Sequence, residues 1–391
     1  MESKRVYFID GLRGFSLLGI LLANLLIFQY GMFGKDYLDS LSATDGFALK
    51  FVKVVVEGSA MPIFTLVFGY SLIKLVESIR KRGGKSRWHI VRRSIGLIVM
   101  GLLHTTYLWD GDILLFYGVI MLFLIVFINR KPKTLLIWGV VLFVIITALG
   151  YGYMEPTGEE KQEMDQYIAQ SYEVLGNGTY AEIYDFRNNV IPPGFGESPL
   201  FILVMLIFAP IFYAPMFLFG MALAKVRAFE NMERERKWYA AGSILVPIGL
   251  ICKAFAQVEN NWTGVLLQGG STLLSIGYIS LFALLYSTTY LSRMSNVFEN
   301  VGKLSLTNYI LQTVICTFTF YGYGLGFHEE LGVLWGILFG LAVYSLQCIG
   351  STMYLKKFKR GPLEVILRMW TNFSWSGKAK VKKVNPKYVE S

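Results

Sequence analysis

Cysteine, histidine and charge are all scarce in this sequence. Of 391 residues three are Cys, three are His and 16% are charged. Cys252, Cys316 and Cys348 lie inside apolar runs and form no C-x-x-C pair. That excludes a disulfide framework and leaves packing as their role. With so few His and Cys, no metal site is expected. The chain has no Walker A lysine loop, no G-x-S-x-G and no H-E-x-x-H, so the common nucleotide-binding, serine-hydrolase and zinc-protease signatures are missing. The alternating pattern of a membrane barrel is missing as well.

Long apolar runs dominate instead. Hydrophobic residues make up 54% of the chain, and stretches of about 20 of them recur, the length that crosses a bilayer core of about 30 Å. Backbone groups cannot stay unpaired in lipid, so these runs are expected to be helices. The reading is an all-α, polytopic membrane helix bundle over 1–354 with a basic cytoplasmic tail over 355–391. About ten spans are expected, at 6–30, 58–79, 91–109, 112–128, 134–153, 199–224, 238–256, 264–291, 303–321 and 331–354. The first of these is interrupted by Asp10 and Arg13 and has no clean cleavage site after it, so it reads as an uncleaved span.

Charge distribution orients the bundle. With both termini in the cytoplasm, the inner segments are 1–5, 80–90, 129–133, 225–237, 292–302 and 355–391. Counting Arg13, Lys74, Arg92, Arg93 and Lys303 at the inner ends of their spans with those segments, about 31 of the 37 Lys and Arg fall on the inner side, as the positive-inside rule requires. The net charge of +10 then belongs to the membrane surface, where anionic inner-leaflet lipid attracts Lys and Arg at roughly 1 kcal/mol each. Spread over many loops with no motif, it gives no support to nucleic-acid binding.

The one long loop, 154–198, is expected outside, either as a functional segment or as a packed cap. Its apolar spacing at Tyr167, Ile168, Tyr172, Val174 and Leu175 suggests one or two surface helices. Lys50, Lys53 and Glu57 suggest an amphipathic segment at the outer interface.

Ionisable residues inside spans cost at least about 2.5–3.5 kcal/mol near the centre, which makes them functional candidates. Asp10-Gly11-Leu12-Arg13-Gly14 opens helix 1, and Asn24 lies on the Arg13 stripe about 16 Å further along. Arg13 can bind a phosphate in a bidentate way; the plainer reading is an Asp10–Arg13 pair that orients the helix. Arg92 and Arg93 open the third span, either as positive-inside anchors or as partners of Arg13 around an anion. The stretch from His104 to Tyr117 places a histidine near Asp110-Gly111-Asp112, where a carboxylate could fix its tautomer and raise its basicity. Alternatively Asp112 caps the next helix and His104 bonds a helix carbonyl. Ser305, Asn308 and Gln312 share one helix face, for substrate contacts or for bonds between helices. His89 and His328, in or beside loops, read as solvated.

Several stretches together resemble a known family. They are Asp10 to Phe15 with Asn24, Pro62-Ile63-Phe64 with Phe68-Gly69, and His104 with Trp109-Asp110-Gly111-Asp112-Ile113-Leu114. Gly302 to Tyr309 and Arg360-Gly361-Pro362-Leu363-Glu364 with Arg368 complete the set. This pattern resembles the bacterial YeiB-like membrane proteins, the domain of unknown function 418 family, and more distantly the transmembrane acyltransferases. The resemblance implies a bacterial cell membrane location. The sugar O-acetylating acyltransferases carry a catalytic histidine in a related helix 1 motif. Asn24 stands at the comparable position here, and His104 is the candidate replacement.

Two functions follow as expectations. One is an acyltransferase that uses acyl-CoA as co-substrate, with no tightly bound cofactor. CoA phosphates would lie near Arg13, Arg92 and Arg93, His104 would act as base with Asp110 or Asp112, and an extracytoplasmic hydroxyl or amine would accept the acyl group. Asn24 or Ser305 would bond the developing oxyanion; Tyr117, Asn308 and Gln312 would complete the binding residues. The alternative is a small-solute or proton-coupled transporter using the same polar residues.

Overall fold

The computed structural model describes residues 7–38, 41–153, 155–194, 209–288 and 292–377. Among them there are helices and turns and no strand, as expected for a chain whose backbone must pair within its own segments. The helices are α1 (Tyr7–Tyr30), α2 (Ala43–Phe51), α3 (Ala60–Lys81), α4 (Ser86–Tyr107), α5 (Leu114–Leu124), α6 (Pro132–Leu149), α7 (Gly158–Asn177) and α8 (Tyr180–Asn189). There follow α9 (Ala214–Lys225), α10 (Met232–Ser243), α11 (Leu245–Phe255), α12 (Thr263–Tyr286), α13 (Ser292–Lys303), α14 (Ser305–Phe320), α15 (Gly332–Lys357) and α16 (Pro362–Asn372). A π-helical segment, Val52–Val56, runs on from α2.

Six helical stretches are long and apolar enough to cross a membrane: Tyr7–Tyr30, Ala43–Lys81, Pro132–Leu149, Met232–Phe255, Thr263–Tyr286 and Gly332–Lys357. Ten were expected, and the difference has local causes. The expected span 112–128 holds a helix of only 11 residues, and 303–321 one of 16. Part of 199–224 lies outside the described residues. Helix α4 is 22 residues long, but Arg87, His89, Arg92 and Arg93 make its first half polar. The span 238–256 is among the six, within Met232–Phe255, but it is interrupted at Ile244, where Pro247 has no N–H for the Ser243 carbonyl and its ring crowds that group.

Two further segments differ from expectation. Residues 292–302, expected as a loop, form α13, which packs along α1 in the core. Small residues make that approach possible. A methyl group on Gly14 would overlap the Phe298 carbonyl, and one on Gly302 the Asp10 carbonyl. Gly69 and Gly220 do the same where α3 crosses α9. Such close crossings are how helices associate where lipid offers no hydrophobic contrast. Within the expected tail, 362–372 is helix α16, packed against α4; residues 378–391 lie outside the described residues.

The long loop folds as expected into two helices, each started by a capping box, Thr157 with Glu160 and Thr179 with Glu182. They sit over the end of the bundle where α4 turns into α5. We call this the capped end. The opposite end, carrying Arg80, Lys81, Arg82, Arg130, Lys131 and Lys357, is the basic end.

Candidate active site

Helix α4 delivers His104 to the interior three residues before its last turn ends, and the turn 108–113 brings the chain back. Both His104 and Asp112 side chains are sealed from solvent, at 1% and 2% exposure, with Nδ1 2.8 Å from Asp112 Oδ1. The contact is off-axis for a hydrogen bond, so its strength is electrostatic. The other carboxylate oxygen, Oδ2, accepts from Leu115 N at 2.6 Å and starts α5. Capping and pairing with His104, posed as alternatives by the sequence, are thus both true, one oxygen each.

The second imidazole nitrogen, Nε2, lies 3.0 Å from Thr313 Oγ1 on α14. A carboxylate can only accept, so it favours the proton on Nδ1. Nε2 is then an acceptor and the Thr313 hydroxyl donates to it. One turn away on α14, Tyr309 packs its ring 5.3 Å from the imidazole. Its hydroxyl accepts from Ile113 N at 3.2 Å and donates to the Gly111 carbonyl at 3.3 Å. Helix α14 thereby fixes both the histidine and the turn that carries its carboxylate.

Asp110 serves a different partner. Arg187 of α8 approaches it at 3.3 Å with only 6% of its own side chain exposed, and donates to the Leu108 and Thr105 carbonyls at 3.0 and 2.7 Å. These are orphan carbonyls of the last turn of α4, so Arg187 fastens the cap to the helix that bears His104. Trp109 turns inward and stacks on Phe28 at 4.2 Å. Tyr117 is buried among Phe64, Phe68, Phe116 and Phe217, and its hydroxyl has no partner among the described residues.

The α1 residues occupy two levels. Arg13 donates to Ser71 Oγ at 2.7 Å, Asp10 Oδ1 at 3.2 Å and the Gly302 carbonyl at 3.4 Å. Asn24 is half-buried, one turn from Phe28 and therefore on the side of the His104 turn. Between Arg13 and Asn24 the stripe is filled by Leu17, Ile20 and Leu21, all buried. Arg92 and Arg93, adjacent in sequence, part company. Arg92 lies over the Phe373 ring at 4.4 Å and lines a cavity of about 210 Å³ with His89, Asn372 and Phe373. Arg93 lies within electrostatic range of Arg13 and Glu364 and donates no hydrogen bond among the described residues.

Asn308 and Gln312 use their amides between helices. Asn308 Nδ2 reaches Ser351 Oγ at 3.0 Å and Gln312 Nε2 reaches Gln347 Oε1 at 2.8 Å. Ser305, half-buried, stands in the first turn of α14, which is capped from outside. Glu364 of α16 accepts from Leu306 N at 2.8 Å, Thr307 N at 3.2 Å and Thr307 Oγ1 at 2.6 Å. His328, expected to be solvated, is buried at 5% exposure beneath α7. It packs on Tyr172 and Tyr321, its Nδ1 facing the Phe28 carbonyl at 3.3 Å.

The structure therefore joins His104 to Asp112 and leaves Arg13 on another level. Sequence reasoning missed Thr313 and Arg187, and gave Tyr309 and Glu364 no role beyond their place in the family pattern. Tyr309 and Thr313 are four apart, a second polar face of α14 beside the one that was read. Arg187 is, with Lys161, one of two basic residues in an acidic loop, which was its only signal.

Comparison with known proteins gives a consistent relationship. The family described as "Protein of unknown function (DUF418)" matches residues 223–374. The uncharacterized protein YxaH of Bacillus subtilis (strain 168) is 31% identical over 403 residues, covering 98% of each chain. The uncharacterized protein YeiB of Escherichia coli (strain K12) is 28% identical over 388 residues, covering 93% of this chain and 95% of its own.

Proposed function

The chain belongs to the DUF418 family, and from that premise we propose that it is a transmembrane acyltransferase, which moves an acyl group from cytoplasmic acyl-CoA to an extracytoplasmic hydroxyl or amine. The observation that carries this reading is the sealed His104, with Asp112 on one nitrogen and a hydroxyl on the other. A histidine held in one tautomer with a free lone pair aimed at an O–H group is a general base.

The two levels on α1 suit such a donor. CoA carries its phosphates and its thioester at opposite ends of a long flexible arm. Arg13 and Arg93 would hold the phosphates, while the thioester reaches past Leu17, Ile20 and Leu21 toward Asn24 and His104, an advance of about 16 Å. A solute conduit would need polar side chains along that same stretch, and three buried aliphatic residues occupy it.

In this reading the chain sits in the bacterial plasma membrane with ten crossings and both termini inside. Helix α4 and the shorter helices α5, α9 and α14 complete the crossings, and the basic end meets anionic lipid. Reporter fusions at the loops 83–85 and 257–262 should report opposite sides.

The direct test is release of CoA thiol from acetyl-CoA by the purified protein. His104→Ala should abolish it in a chain that still inserts and folds, with a lowered unfolding midpoint because Asp112 is left uncompensated; undiminished release would refute the assigned base. Arg13→Ala should weaken CoA binding in an isotherm, and equal affinity would count against the phosphate assignment. Solute flux through liposomes containing no CoA would favour transport instead.

A further inference from the structure

Both nitrogens of His104 are occupied, and this restricts what the base can do. Nδ1 faces a carboxylate and Nε2 faces Thr313 Oγ1 at 3.0 Å. The proton that His104 is placed to accept is therefore the one on Thr313. An external hydroxyl or amine would first have to displace that residue. Thr313 itself is 1% exposed, and its other polar neighbour is the Tyr309 carbonyl at 3.4 Å within its own helix. The hydroxyl's need for an acceptor would be satisfied within its own helix by that carbonyl, as it is for Thr319 with Ile315 and for Ser345 with Leu341. Instead the hydroxyl is shared with an imidazole whose far side carries a carboxylate, the arrangement that activates a hydroxyl as a nucleophile.

We propose that Thr313 is the acyl carrier of this site, a threonine nucleophile activated by His104 and oriented through Asp112. This rests on the acyltransferase reading and deepens it. In the first half, Thr313 Oγ passes its proton to His104 Nε2 and attacks the thioester carbonyl. The C–S bond breaks and the leaving thiolate takes the proton from Nε2, giving free CoA and an ester on Thr313. In the second half, the acceptor hydroxyl or amine gives its proton to Nε2 and attacks the ester carbonyl. The C–Oγ bond breaks, Thr313 recovers the proton and the acylated acceptor leaves. No oxidant or further reactant is needed. Tyr117, whose buried hydroxyl has no partner among the described residues, is the candidate donor to the oxyanion formed in each half.

A covalent carrier also suits the placement of the site. Donor and acceptor arrive from opposite ends of the bundle, and Thr313 lies under the capped end. An ester on Thr313 lets CoA depart before the acceptor enters, so no open path ever joins the two sides.

The test uses the full chain in lipid nanodiscs with acetyl-CoA alone. We expect a rapid stoichiometric burst of thiol and one acetyl group on the peptide containing Thr313. Thr313→Ser should keep both, whereas Thr313→Val and His104→Ala should lose both, with CoA binding isotherms unchanged. Thiol release that survives in Thr313→Val but disappears in His104→Ala would overturn the carrier role and leave the acyltransferase reading standing. Absence of both thiol release and adduct in the unaltered protein would overturn both.

Discussion

The two ends of the bundle treat their buried charges in opposite ways. At the capped end most are matched, although the fully buried Lys253 is held by the Glu57 carbonyl and the Ser59 hydroxyl instead. Asp112 faces His104, Asp110 faces Arg187, and Lys35 contacts both Asp36 and Glu57. At the basic end cations outnumber carboxylates. Arg13 shares Asp10, Arg92 lies against a ring, and Lys225 spends its ammonium on the Ile128 and Arg130 carbonyls at 2.8 and 2.6 Å. Arg93 has neither a hydrogen bond nor an ion pair among the described residues. A matched buried pair fixes geometry and is destabilising to break, because the remaining partner is left uncompensated. A cation without a close partner contributes little to the fold and is available to an incoming anion.

Substitutions can break this contrast. The largest effect should come from Asp112→Asn. Asparagine can still accept from Leu115 N, so α5 starts as before, but it no longer stabilises protonated His104. Thiol release should fall by about 10²–10⁴-fold with little change in thermal unfolding. Arg187→Leu comes next. It leaves the half-exposed Asp110 unpaired and strands the carbonyls of Thr105 and Leu108, and should cost about 2 kcal/mol of stability, mostly from the two carbonyls, read as a lowered unfolding midpoint and faster proteolysis within 154–194.

Acid should loosen the same region. Burial pushes the His328 imidazole from its ordinary 6.5 down to about 4. The folded chain therefore binds this proton later than the unfolded chain does. The stability that depends on neutral His328 is complete above pH 6.5 and declines as pH falls toward about 4, by on the order of 2–3 kcal/mol. Thermal unfolding followed across that window should show the loss, and His328→Asn should flatten it. The smallest effect on the fold belongs to Arg93→Leu. Stability should stay within about 0.5 kcal/mol, while CoA affinity drops about tenfold, or about 1.4 kcal/mol. If Arg93→Leu instead destabilised the chain as much as Arg187→Leu, the contrast between the two ends would fail.

What the sequence revealed of this site depended on separation along the chain. His104, Asp110 and Asp112 are close neighbours in sequence, so their meeting at a turn could be read directly. Which carboxylate would serve His104 could not, because both lie within the same turn; the choice is made by Arg187, which claims Asp110 from 77 positions away. Thr313 is 209 residues from His104, and no local periodicity reports such a meeting. Only six of the ten expected spans have the length and apolarity of a crossing among the described residues, for a related reason. Hydropathy registers that 303–321 and 112–128 are apolar. It does not register that α13 ends at Lys303 to start a new helix, or that the turn at 108–113 takes up residues before α5 begins. The pairing of Gly14 and Gly302 was hidden too, since a glycine's value at a helix crossing depends on the backbone it meets.

The cap on α14 has a consequence for how this chain is made. Glu364 lies 58 residues beyond the first amide it satisfies, so during synthesis α14 emerges with its leading N–H groups open. They close only after α15 has been laid down and α16 has folded back to reach them. The helix that carries Thr313 is therefore finished late, and a chain interrupted before residue 364 would hold every residue of the site but not the brace that keeps them in register.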